Sequence, residues 1–173
     1  HFHSSLKKKD ADRFLIDHIK AYRPKLIALD APLSLPGRLV HQPALDSNGL
    51  AFESYFYRRC DQHFKAMSPM FLGGLTARAI QLKDQFTEFN VKVLEAYPSA
   101  LIDHLQLRDL GYKKDKADIP VVLDKIKAHF PSSFREIAHH CPETLPNWHH
   151  VDAYLCLLTA TRIVEKQAEI FGD

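Results

Sequence analysis

Apolar positions along this chain fall into two kinds of stretch. Phe14, Leu15, His18, Ile19 and Tyr22 recur at helical spacing. Asp10 stands ahead of them as a cap, and Pro24 ends the run because the residue before proline leaves the helical region. The pattern predicts an amphipathic helix over 10–22. Leu26-Ile27-Ala28-Leu29-Asp30 shows no alternation and reads as a strand covered on both faces, closed by Pro32 and Pro36. Residues 37–52 contain Gly, Pro and Asp-Ser-Asn-Gly without a clean period, so a flexible loop is expected there. Tyr57, Cys60, Phe64 and Met67 share one face of a helix predicted over 55–67. Thr76 is placed as the cap of a helix over 77–86. Val91-Lys92-Val93-Leu94-Glu95 is the second strand, stopped by Pro98. A helix from Asp118 to about Phe130 tolerates Pro120 in its first turn. A short helix is expected over 133–139, and a final one from Asn147 to about Ile170.

Strands separated by helices imply parallel pairing through right-handed crossovers. Two strands do not make a stable sheet on their own, so an α/β fold needs more of them. The chain begins His1-Phe2-His3, alternating in polarity, and then runs through Lys7-Lys8-Lys9-Asp10. This reads as the end of a strand whose beginning lies before His1; a tag remnant is the alternative. There is no solenoid period and no low-complexity segment.

Composition narrows the class only a little. At 173 residues, the chain matches a single domain with a real core. Apolar residues at 46% and charged residues at 25% give an ordinary globular balance and argue against global disorder. No apolar run reaches the roughly 18 residues of a membrane span. Three cysteines, at 60, 141 and 156, make no disulfide framework and point to a reducing, cytoplasmic setting. A net charge of +2 announces no nucleic-acid partner, but as a sum over acidic and basic clusters it excludes none.

The two strands end alike, in Leu29-Asp30-Ala31-Pro32 and Leu94-Glu95-Ala96-Tyr97-Pro98. Each sets a carboxylate at the carboxyl end of a strand, the rim where open α/β sheets bind ligands. If the strands are neighbours, Asp30 and Glu95 converge, and each raises the other's pKa unless a cation lies between them. Taken singly, either one is equally a turn carboxylate bonded to nearby backbone N–H groups. Asp152 sits in an apolar helix, where a charge needs a partner or a metal; a helix-dipole interaction is the plainer account. His149 lies three residues earlier on the same face, a ligand or proton carrier if it is not simply structural. This donor set suits Mg²⁺ or Mn²⁺ better than zinc. His139, His140, Cys141, His149 and His150 fit no standard zinc spacing. Cys156 reads as core, and no glycine-rich phosphate loop is present. Basic clusters at Lys7–Lys9, Arg58-Arg59 and Lys113-Lys114 with Lys116 are solvated faces unless they share the acidic rim's side.

Leu-Asp-Ala-Pro-Leu at 29–33, Arg-Arg-Cys-Asp at 58–61, Leu-Glu-Ala-Tyr-Pro-Ser-Ala at 94–100 and His-His-Val-Asp-Ala at 149–153 occur in that order. Together they resemble an uncharacterised family of predicted nucleases with an RNase H-like fold, the domain of unknown function four-two-nine. The His-x-x-Asp spacing is similar to that of Holliday-junction resolvases, which share the superfold. The resemblance implies a mixed five-stranded sheet with flanking helices, its first strands and a leading acidic ligand absent from this sequence. It implies a nuclease that hydrolyses phosphodiester bonds with two Mg²⁺ or Mn²⁺ ions about 3.5–4 Å apart. Asp30, Glu95 and Asp152 would be the ligands, Glu95 alternatively orienting the attacking water, and His149 a ligand or proton carrier. Arg58, Arg59 and Lys114 are the candidates for phosphate contacts, with DNA or RNA as the partner and a homodimer among the assemblies open to it. Two other classes remain: a phosphate-handling ATPase or kinase of the same superfold, and a non-catalytic binding module.

Overall fold

The computed structural model describes residues 10–40, 54–130, 145–168 and 170. The strand expected at His1–Ser4, most of the 37–52 loop and the helix expected over 133–139 lie outside these residues.

Helix α1 spans Ala11–Tyr22, and the Asp10 carboxylate accepts from the N–H groups of Asp12 and Arg13 at 3.0 and 3.1 Å, as the cap reading requires. Strand β1 (Leu26–Leu29) follows. Residues Gly37–Val40, expected in a loop, form one helical turn, α2. The long helix expected over 55–67 is only α3, Arg59–Phe64. Its entrance is fixed by Asp61, whose carboxylate accepts from the Arg58 backbone N–H, and it stops at Lys65 in the left-handed region. The intended apolar face is not realised: Met67 is exposed.

Helices α4 (Pro69–Leu72) and α5 (Gly74–Thr87) meet at Gly73, whose φ of 46° is open to glycine at little cost. Thr76 is therefore not a cap. It lies inside α5, buried, with its hydroxyl donating to the Pro69 carbonyl at 2.8 Å. Strand β2 covers Lys92–Glu95. Helix α6 (Pro98–His104) was not expected; proline at its start marks where it begins. Short 3₁₀ turns at Arg108–Leu110 and Lys116–Asp118 lead to α7, Ile119–His129. The last helix, α8, runs Trp148–Val164, capped by the Asn147 side chain, and stops six residues short of Ile170, with Lys166 at positive φ just beyond.

The described residues form a mixed α/β fold, mostly helical, around a parallel pair of strands. The five-stranded sheet is not among them. Leu26 pairs with Lys92, and Leu29 pairs with Glu95. One face of the pair packs Ile27, Leu29 and Val93 against Ile19, Leu82, Phe86 and Val91, a core shared with α1 and α5. The opposite face meets α8. A second core joins α6, α7 and α8 through Ile102, Val122, Leu123, Ile126, Tyr154, Leu155 and Leu158. Among the described residues, no helix is long and apolar enough to cross a membrane.

Candidate functional site

Asp30 follows directly on β1, at the carboxyl end of the strand. Asp152 sits one turn into α8, facing the sheet. Both line one open cleft of about 330 Å³, with His149, Ala28, Cys156 and Leu157 around them. Asp152 is buried in the cleft wall, whereas Asp30 and His149 are exposed at its rim. The structure thus brings together three of the residues singled out from the sequence.

The Asp30 carboxyl is held above the ordinary carboxylate range by desolvation first and then by the negative charge of Asp152. Lys113 and His149 pull it back down, and Glu95 adds only a small upward push. Deeper in the cleft, the Cys156 thiol is pushed up to about 12 by burial and by the charges of Asp30 and Asp152. A thiol kept protonated in this way is a poor nucleophile, in line with its reading as core.

Of the two partners of Asp152, Tyr112 was not picked out from the sequence, and Lys113 was named only within a basic cluster, which here does share the acidic rim's side. The Tyr112 hydroxyl donates to Asp152 Oδ1 at 2.6 Å, and Lys113 Nζ lies 2.9 Å from Oδ2. Burial and the bond to Asp152 raise the Tyr112 pKa, so the phenol keeps its proton and remains a donor. The turn that delivers these two residues depends on Gly111, at φ 91°. A Cβ there would overlap the Asp118 carboxylate and lie 3.0 Å from Asp118 Cβ. Lys113 itself has φ 61°. The signal available in the sequence was Gly111 ahead of Tyr-Lys-Lys: a glycine marking a left-handed turn. Lys114, the neighbour chosen instead for a phosphate contact, is exposed, as is Arg59.

Glu95 does not join this cleft cluster. Register is the reason: Glu95 is level with Leu29, one residue before Asp30. Successive side chains of a strand leave opposite faces, so the two carboxylates diverge. Glu95 is held by Arg58 in a two-pronged pair, Nη1 to Oε2 and Nη2 to Oε1, both 2.7 Å, and its Oε2 also accepts from the Leu33 N–H at 2.9 Å. Arg58, expected at a phosphate, is instead buried. Its Nε and Nη2 also donate to Asp61 at 3.0 and 2.6 Å, and Nη1 donates to Ser34 at 3.1 Å. Burial alone would lower the arginine pKa, but the hydrogen bonds to Glu95 and Asp61 outweigh it and lock in the charge. Asp61, named only as part of the motif, is the second carboxylate of this buried clamp. The Arg-x-x-Asp spacing across a helix start was the sequence signal for it.

Among the described residues, no three His, Cys, Asp or Glu side chains are grouped to hold a metal ion. Among the described side chains that line the cleft, Asp30 and Asp152 are the carboxylates. That pair fits the chemistry of Mg²⁺ or Mn²⁺, since Mg²⁺ is commonly held by one or two carboxylates with water and phosphate oxygens completing its shell. It is a poorer match to zinc, whose protein sites are built mostly from histidine nitrogen and cysteine sulfur. Comparisons of the chain with family models, curated proteins and solved structures find no match.

Proposed function

We propose that this chain is a divalent-cation-dependent nuclease, hydrolysing phosphodiester bonds, with its two strands forming part of an RNase H-like sheet. The observation that carries the reading is the meeting of Asp30 and Asp152 on one cleft at the carboxyl end of β1, with Lys113 and His149 beside them. Asp30 and Asp152 would hold the cation; when bound, Mg²⁺ or Mn²⁺ supplies Lewis-acid polarisation of a phosphoryl oxygen. With Glu95 committed to Arg58, the described donors match one ion rather than two. Tyr112 fixes the orientation of Asp152 by its hydrogen bond. His149, exposed at the rim, is placed to carry a proton between the cleft and solvent. Arg59 and Lys114, both exposed, remain candidates for contacts to the nucleic-acid backbone.

The test is cleavage of single-stranded, duplex, hybrid and branched nucleic acids in Mn²⁺. Wild type is expected to cleave at least one of them, and Asp30→Asn and Asp152→Asn to abolish that activity. Equal cleavage by wild type and Asp30→Asn would place the chemistry elsewhere. The Lys113–Asp152 ion pair favours one rival, a binding module without turnover. Mn²⁺ binding lost in Asp30→Asn, with no cleavage of any substrate, would identify it.

A further inference from the structure

The Lys113 ammonium lies where a metal ion would meet Asp152. It is 2.9 Å from Oδ2 and 5.1 Å from the centre of the Tyr112 ring. Asp152 Oδ1 is already engaged by Tyr112, so Oδ2 is the oxygen a cation would take, and Lys113 covers it. The two partners are unequal. The Asp152 side chain is 7% exposed and fixed in α8, whereas Lys113 is 46% exposed, on a turn and at the end of a flexible four-carbon stem. A buried carboxylate needs positive charge nearby, while an exposed ammonium is readily solvated when released. Lys113 also pulls the neighbouring Asp30 toward its charged form, so its field reaches both carboxylates.

We propose that Lys113 is an internal counter-ion that competes with the divalent cation for Asp152. It balances the Asp152 carboxylate while the cleft holds no metal and leaves Oδ2 when the ion enters. Its presence therefore sets the cation concentration at which the site fills. This rests on the reading of Asp30 and Asp152 as cation ligands, and it goes further by making the affinity of that site a property of Lys113. A left-handed backbone at Lys113 is easily occupied by glycine, so the side chain can be removed without forcing the turn.

The experiment is direct Mn²⁺ binding to the whole chain, followed by calorimetry and by the loss of the free-Mn²⁺ paramagnetic signal. Wild type, Lys113→Met, Lys113→Gly, Lys113→Arg and Asp30→Asn are compared. Lys113→Met and Lys113→Gly are expected to bind Mn²⁺ about fivefold more tightly than wild type, the scale of one partly exposed ion pair. Lys113→Arg should stay within about twofold of wild type, because the competing charge is kept. Asp30→Asn should lose binding. Unchanged or weaker affinity in both Lys113→Met and Lys113→Gly, with Asp30→Asn still losing binding, overturns the role of Lys113 and leaves the cation site standing. Binding that survives in Asp30→Asn, or is absent from every variant, overturns the cation reading itself.

Discussion

Replacing Arg58 by methionine tests whether the clamp is what holds the rim together. Methionine keeps most of the length and apolar stem but removes five side-chain hydrogen bonds: two to Asp61, two to Glu95 and one to Ser34. The consequences at the two carboxylates differ. Asp61 is 2% exposed and keeps the Arg58 backbone N–H and a long contact from the Cys60 thiol but no cation, so its charge is stranded out of reach of water. Glu95 is 31% exposed and still accepts from Leu33, so solvent offsets part of its loss. Leaving one partner of a buried ion pair uncompensated costs about 3–5 kcal/mol. Because Glu95 is partly wetted, the lower half of that range applies, about 3–4 kcal/mol. For a chain of this size, each kcal/mol moves the melting temperature by about 2–4 °C, giving a fall of about 6–16 °C. Urea unfolding and calorimetry both report it. The triple variant Arg58→Met, Asp61→Leu, Glu95→Gln removes the stranded charges and should recover most of the loss. A single-variant loss below about 1 kcal/mol would refute the reasoning, and so would a triple variant no more stable than the single one.

Two further outcomes follow from the geometry. Gly111→Ala places a Cβ against the Asp118 carboxylate in a left-handed turn, and it should cost at least about 2 kcal/mol in urea unfolding. Adding Asp118→Ala should return part of that by removing the carboxylate while leaving the backbone strain; a double variant as unstable as the single one would show that the contact does not matter. Asp30→Asn should gain a little stability over wild type at neutral pH, because Asp30, though it reaches solvent at the rim, is held above its ordinary pKa by partial desolvation and by the charge of Asp152. A group with a raised folded pKa binds more protons in the native state, so its contribution is present below the ordinary value of 3.8 and is lost as pH rises through the folded value. The melting-temperature advantage of Asp30→Asn should therefore shrink on acidification; an advantage independent of pH from 3 to 8 would contradict it.

The elements legible in the sequence were those whose own pattern is strong. Helix α1 has a cap, a face and a stop within fifteen residues, and both strands are apolar runs closed by proline. Helices α3, α4 and α6 are one or two turns long, too short for a period to emerge; neighbours and single hydrogen bonds, such as Thr76 to Pro69, define them. Asp30 was legible as the end of an apolar strand, and Asp152 as a lone charge within an apolar helix. Glu95 misled because its motif looks like that of Asp30 in linear order, whereas faces are assigned by register, and register comes from backbone pairing across the sheet. Tyr112 was hidden, and Lys113 was visible only as one of a basic cluster, because their place depends on a left-handed turn at Gly111, not on any periodic pattern. Arg58 was read as a surface cation because charge alone says nothing of burial; Asp61 and Glu95 together make its burial tolerable.

The two hydrophobic cores give the cleft a mechanical meaning. Asp30 hangs from the strand layer, which α1 and α5 support, while Asp152, Tyr112 and Lys113 belong to the bundle of α6, α7 and α8. The carboxylates thus stand on opposite banks of a seam, and their separation reports how the two halves are seated. A ligand gripped by both banks would act as a rivet, coupling the halves into one unfolding unit, and a ligand held by one bank alone would leave them to loosen independently.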